Sequence, residues 1–190
     1  RCPTCGMALI QRRAENAPTA TPQDRRFGVV TWRSYIPLVL IFSLLIVSSL
    51  ATSWTELAAG HFFLFQTIRY FMAGFFLVFS GFKLMDLDGF AKGYATYDLL
   101  AERFFFYGYI YPFVELGFGL AMLAGWDGPG LLYAEILVMV VSGIGVVCKL
   151  AKGEVFQCAC LGTFLKVPLT YVTLIEDFGM AGLAIVLLLK

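Results

Sequence analysis

Charge is scarce in this chain. Only 14% of its 190 residues are Asp, Glu, Lys or Arg, against 59% hydrophobic ones, a balance far from that of a soluble domain of this length. Histidine is scarcer still. His61 is the sole example, and a lone histidine at the end of an apolar stretch reads as solvent-bonded rather than ligating. No glycine-rich phosphate loop, serine-nucleophile motif or H-E-x-x-H motif occurs, so the usual signatures of nucleotide binding, serine hydrolysis and zinc proteolysis are missing. The basic residues lack the interleaved aromatics of a nucleic-acid surface, and no nucleic-acid partner is expected. No internal repeat is found, which argues against an inverted-repeat transporter within the chain. No charged start, apolar core and small-residue cleavage site precedes residue 30, so no secretory signal is expected.

What the chain has instead is long apolar runs. Five stretches stand out: Tyr35 to Trp54, Phe62 to Phe82, Phe104 to Gly125, Gly130 to Leu150 and Val167 to Leu189. Each is about 20 residues long, enough for a helix to cross a hydrocarbon core of roughly 30 Å. The expected fold is all-α: an integral membrane bundle of four to five transmembrane helices, with the lipid bilayer as its first partner. Between the second and third runs, Tyr94 to Arg103 has helical composition with polar and apolar faces and predicts one amphipathic helix along the interface. Tyr107, Tyr109 and Tyr111 follow it and read as an aromatic interfacial belt. The turn chemistry of Trp126 to Pro129 predicts an antiparallel hairpin of the third and fourth runs.

The basic residues set an orientation. Of 14 Lys and Arg, all but Arg69 and Lys190 precede the first run or fall in the connections after the second and fourth. The positive-inside rule makes that side cytoplasmic. The expectation is an inner-membrane protein of bacterial type, with the amino end and the connection carrying Cys158 and Cys160 inside. Residues 1–13 read as the possible end of a metal-binding module. Residues 14–33, rich in Ala, Pro, Thr and charge, read as a flexible basic tether, and residues 34–190 as the bundle.

Two kinds of residue could carry chemistry. Cys158 and Cys160 form a close thiol pair in a polar connection, able to grip a soft metal or to cycle between dithiol and disulfide. Lys149, Lys152 and Lys166 lie nearby in sequence, and positive charge lowers a thiol pKa. A ring this short is strained as a disulfide, which favours exchange over permanent bracing. Cys2 and Cys5, in a C-x-x-C-G run, supply two of the four ligands that zinc needs, with Cys158 and Cys160 as candidates for the other two. Cys148, in an apolar run, reads as a buried small hydrophobe. The second kind is charge within the apolar runs: Arg69, Glu115, Glu135, Glu176 and Asp177. At such depth charges face the bundle interior and find partners. Depth suggests pairing of Arg69 with Glu135, and places Glu115 level with Glu176 and Asp177. Two uses compete for this network: helix–helix glue, or a proton or cation path beside a redox or metal site.

Phe79 to Leu84 (FSGFKL), Gly89 to Asp98 (GFAKGYATYD) and Tyr111 to Gly117 (YPFVELG) resemble the DoxX-like membrane proteins. Cys158 to Gly162 (CACLG) and the segment Pro168 to Met180 are similar to the methylamine-utilisation MauE branch of that group. The resemblance covers roughly residues 60–189 and implies a small helical bundle tied to redox and thiol chemistry, including maturation of methylamine dehydrogenase. Three functions stay open. One is a thiol/disulfide redox protein using Cys158 and Cys160, as a component of a thiol-disulfide oxidoreductase with a thiol-redox protein partner and a quinone. Another is a soft-metal (copper, mercury or zinc) binding or transport protein with a metal-carrier partner. The third is a non-catalytic membrane anchor subunit.

Overall fold

A computed structural model describes residues 35–57, 63–151 and 170–190, and every element among them is a helix. In chain order these are α1 (Ile36–Leu57), α2 (Phe63–Met85), α3 (Leu87–Tyr94), α4 (Leu99–Arg103), α5 (Phe105–Leu123), α6 (Pro129–Ala151) and α7 (Thr170–Leu188). Four of them, α1, α2, α5 and α6, are long and apolar enough to cross a bilayer. The expected all-α membrane bundle is what the chain forms. The fifth expected span falls on α7, a helix of 19 residues that is not among those four.

α2 is the hub of the bundle. It packs against α1, α5 and α7, while α6 packs chiefly against α7. Its buried face carries Met72, Ala73, Phe75, Phe76, Phe79, Ser80 and Lys83, a helical stripe that places four large apolar side chains in the core. α1 turns Leu38, Leu45, Ser49 and Ser53 inward, and Val39, Leu40, Leu44 and Val47 outward. The inward serines return their hydroxyls to the carbonyls one turn back, Ser49 to Leu45 at 2.7 Å and Ser53 to Ser49 at 2.7 Å. The buried hydroxyls of these two serines are thereby satisfied within α1 itself.

The connection between α5 and α6 is as tight as expected, and its chemistry is visible. Gly125 takes φ +82°, Trp126 N donates to Ala121 O at 2.8 Å and Gly125 N to Met122 O at 3.1 Å. This is a Schellman stop that satisfies the last carbonyls of α5, and Pro129 opens α6 where its missing N–H costs nothing. The two helices do not, however, form the packed hairpin that the turn suggested. α5 lies on α2 and α6 on α7. The small residues of each face elsewhere: a Cβ at Gly119 would press on Ala73 O at 3.1 Å, and one at Gly143 on the Phe178 ring at 3.0 Å. Close approach decides packing in a membrane, where lipid is as apolar as leucine.

The expected interfacial helix over residues 94–103 is corrected as well. The segment is two short helices with a break at residues 95–98. Asp86 caps α3, accepting from Gly89 N at 2.9 Å. Asp98 caps α4, accepting from Leu100 N at 2.9 Å and Ala101 N at 2.8 Å. An aspartate that binds the N–H groups ahead of it starts a helix rather than continuing one. The α3–α4 segment sits where α2 and α6 end, covering that end of the bundle.

Candidate functional site

Beneath α3 and α4 the core turns polar. Lys83, in the last turn of α2, is ion-paired with Glu115 of α5, the two side chains only 5% and 4% exposed. Buried charge persists only when it is paired. The ammonium also lies over two rings, 4.9 Å from the centroid of Tyr111 and 5.4 Å from that of Phe90, a placement that favours the cation further.

Tyr94, at the end of α3, is the centre of the cluster. Its ring stacks on Phe90 at 5.1 Å, tilts against Tyr111 at 4.6 Å and meets Tyr97 edge-on at 5.4 Å. Its hydroxyl donates to Asp98 Oδ2 at 2.9 Å and lies 3.4 Å from Ser142 Oγ of α6. Burial, with Asp98 beside it, holds the Tyr94 phenol well above its ordinary value of 10.0, so it stays a donor at neutral pH. Burial also pushes the Asp98 carboxyl above its ordinary 3.8, opposed by its bonds from Ala101, Tyr94 and Leu100.

α7 adds Thr173, Glu176 and Asp177 to the same small cavity. Asp177 is within hydrogen-bonding reach of Ser142 and within electrostatic reach of Lys83, Glu115 and Asp98. The free space amounts to roughly one water molecule. One lysine therefore shares a small cavity with three carboxyl groups, those of Glu115, Glu176 and Asp177, with Asp98 bonded to Tyr94 at its edge. A single cation compensates a single buried negative charge.

The expected buried network thus divides. Glu115, Glu176 and Asp177 come together, while Arg69 and Glu135 stand apart from them. The expected Arg69–Glu135 pair does not form: neither carboxylate oxygen of Glu135 has a hydrogen-bond partner among the described residues, although the residue is wholly buried. Arg69 lies over the Tyr70 ring at 4.9 Å instead. Tyr111, expected in an interfacial belt, is 2% exposed in the core. Tyr109 keeps the surface role, donating to Asp88 at 2.6 Å. Cys148, expected to be buried, is exposed on the outer face of α6. Cys2, Cys5, His61, Cys158 and Cys160 lie outside the described residues.

The sequence reading missed Lys83, Tyr94, Asp98 and Ser142. Lys83 looked like one more basic residue flanking a connection. The available signal was its place inside FSGFKL, four residues after Phe79 and so on that residue's buried face.

The family model of the methylamine utilisation protein MauE matches residues 61–190. That range holds every member of the cluster as well as Cys158 and Cys160, and it leaves out α1 and the Cys2/Cys5 segment. No curated protein and no solved structure matches the chain.

Proposed function

The chain belongs to the MauE family, and from that membership we propose that it is a membrane component of thiol–disulfide chemistry serving methylamine utilisation, with Cys158 and Cys160 as the exchanging pair. The observation that carries this reading is where the connection holding those cysteines is anchored. α6 delivers the chain to it at Ala151 and α7 takes the chain up at Thr170. Both helices line the lysine–carboxylate cavity, α6 through Ser142 and α7 through Thr173, Glu176 and Asp177. α6 is also tied to the α3–α4 cover, Lys149 reaching Glu102 at 3.3 Å.

The chemistry balances with a partner disulfide as the oxidant. The thiolate of one cysteine attacks a partner sulfur, a mixed disulfide forms and the partner's first thiolate leaves. The second cysteine then attacks the first. This closes the Cys158–Cys160 disulfide and releases the partner's second thiolate. Two protons pass from the pair to the partner thiols, and two electrons pass with them. Lys83, Glu115, Asp98 and Asp177 have the right character to hold protons in transit. Run in reverse, the same steps deliver a disulfide to the partner. The positive-inside rule places this end of the bundle, with Lys92, Arg103 and Lys149, on the cytoplasmic side.

The test is trapping. A Cys158→Ser or Cys160→Ser variant should accumulate a mixed disulfide with a dithiol–disulfide partner, detected as a reducible band by mass spectrometry, while the double variant should give none. A double variant that still forms the adduct, or wild-type cysteines that stay reduced under every oxidised partner offered, would overturn the reading. Lys92→Cys and Asp127→Cys, made without Cys148, should label from opposite sides of the membrane.

A further inference from the structure

α1 leans on α2 and leaves a seam beside α7. Two cavities lie along that seam, of about 290 Å³ and 230 Å³, and they share Phe71 and Leu183. Together they reach the size of an ordinary small-molecule site. The seam exists partly because α7 presents Gly179 there: a Cβ at that position would meet nothing within 4 Å. Its rims are bilayer-facing, with Ile175 71%, Ile46 47% and Leu50 42% exposed. Helices α1 and α2, which form one wall, are both long and apolar enough to cross the bilayer, so whatever enters from the side arrives dissolved in lipid.

The two ends of the seam differ. The outer part is lined by Ile46, Leu50, Thr67, Ile68 and Leu183 and suits a flexible hydrocarbon tail. The inner part is aromatic and carries an acid. Phe42 stands 6.3 Å from Phe71 and 5.8 Å from Phe75, with Phe71 and Phe75 6.4 Å apart. Glu176 lies beside them, 7% exposed. Counted along α7 from Thr170, Glu176 is about 9 Å into the helix.

We propose that this seam binds a lipid-soluble quinone, its ring among Phe42, Phe71 and Phe75, one ring oxygen at Glu176, and its tail along Leu183 and Ile46. A bare acyl chain needs neither the three rings nor the carboxyl group. An anionic headgroup would find no lysine or arginine in the lining of this part of the seam. A neutral planar ring with hydrogen-bonding oxygens fits both features, since aromatic faces stack on it and a carboxyl group can donate to or accept from its oxygens. Phe75 and Glu176 also line the lysine–carboxylate cavity, so the proposed ring position and that cavity share a wall. The proposal stands apart from the thiol reading, because no cysteine takes part in it.

The experiment uses the full chain in phosphatidylcholine nanodiscs, with a photoreactive azido-ubiquinone bearing a short alkyl tail as the probe. Cross-links should map to α1 and α7 and be displaced by excess decylubiquinone. Gly179→Leu fills the seam and should lower labelling about tenfold or more, with an unchanged melting curve. Ile46→Trp, on the exposed face of α1, gives an independent block should the first variant fold poorly. Glu176→Leu should weaken labelling by about tenfold and leave its position unchanged. Labelling that persists in both blocking variants would overturn the proposal. So would a photoreactive phosphatidylcholine that labels the seam as strongly and resists displacement by decylubiquinone, an acyl chain then being the occupant.

Discussion

Lys83→Met removes the only cation that the described residues place in the cavity beneath α3 and α4 and leaves Glu115 and Asp177 facing each other's field. Breaking a buried pair from one side costs about 3–5 kcal/mol. Glu115→Met should cost less, because Lys83 then still has Asp177 within electrostatic reach and keeps the Tyr111 and Phe90 rings beneath it. A loss of about 1–3 kcal/mol is expected there, the range for a buried polar group that loses one partner. The double variant replaces both charges by side chains of similar length and should fall within about 1–2 kcal/mol of the wild type, since buried pairs are often replaceable as a unit. For a chain of this length each kcal/mol shifts Tm by roughly 2–4 °C. The predicted order of melting temperatures in detergent is therefore wild type, double variant, Glu115→Met, Lys83→Met, with the last down by roughly 6–20 °C. A double variant that loses the sum of the two single losses would refute the reasoning, because it would show that Lys83 and Glu115 contribute independently.

Asp98 gives a pH prediction. Its carboxyl is held above 3.8 by burial, so the folded state binds its proton more tightly than the unfolded state does. Stability contributed by that proton is full below pH 3.8 and falls as pH rises through the window up to the folded value. Asp98→Asn keeps a cap acceptor for α4 and a partner for Tyr94, and should flatten that part of the stability–pH curve in a series of melts; an unchanged slope would show that other carboxyls set it. Gly145→Ala should destabilise by about 1–3 kcal/mol, because its Cβ would stand 2.9 Å from Tyr97 O and 3.2 Å from the Asp98 Cα, backbone that cannot swing aside. Gly117→Ala, with nothing within 4 Å, should be neutral or stabilising in the same melt.

The sequence reveals the helices here more readily than their faces. Long apolar runs announce the spans because length and hydropathy are properties of consecutive residues. The stop at Gly125 and the start at Pro129 are equally local. Pairing is not local. Arg69 and Glu135 were matched by depth, yet depth fixes height along the membrane normal and says nothing of azimuth. Each residue turns a helix by about 100°, so a shared height still leaves most pairs facing different ways. The hairpin of α5 and α6 failed for a related reason: a short turn constrains the ends of two helices, whereas Gly119 and Gly143 decide what their flanks touch. Tyr111 was misjudged because tyrosines near a span end usually sit at the interface, and only the cover formed by α3 and α4 makes that end an interior. Glu115, Glu176 and Asp177 share a depth in their runs and line one cavity in the structure, whereas Glu135, in a run of the same kind, does not join them.

The separation of Lys83 and Glu115 along the chain has a consequence for biosynthesis. The two residues are 32 positions apart, and translation at 5–20 residues per second puts roughly 2–6 s between them. For that interval α2 is in the membrane with a lysine whose partner has not been made. Lys83 tolerates the wait because it sits in the last turn of α2, where a long aliphatic stem lets the ammonium reach headgroup water. Only when α5 arrives and α3 and α4 fold over it does the ammonium give up that water for Glu115. The ion pair is thus a late feature of the fold, one that no chain shorter than 115 residues can make.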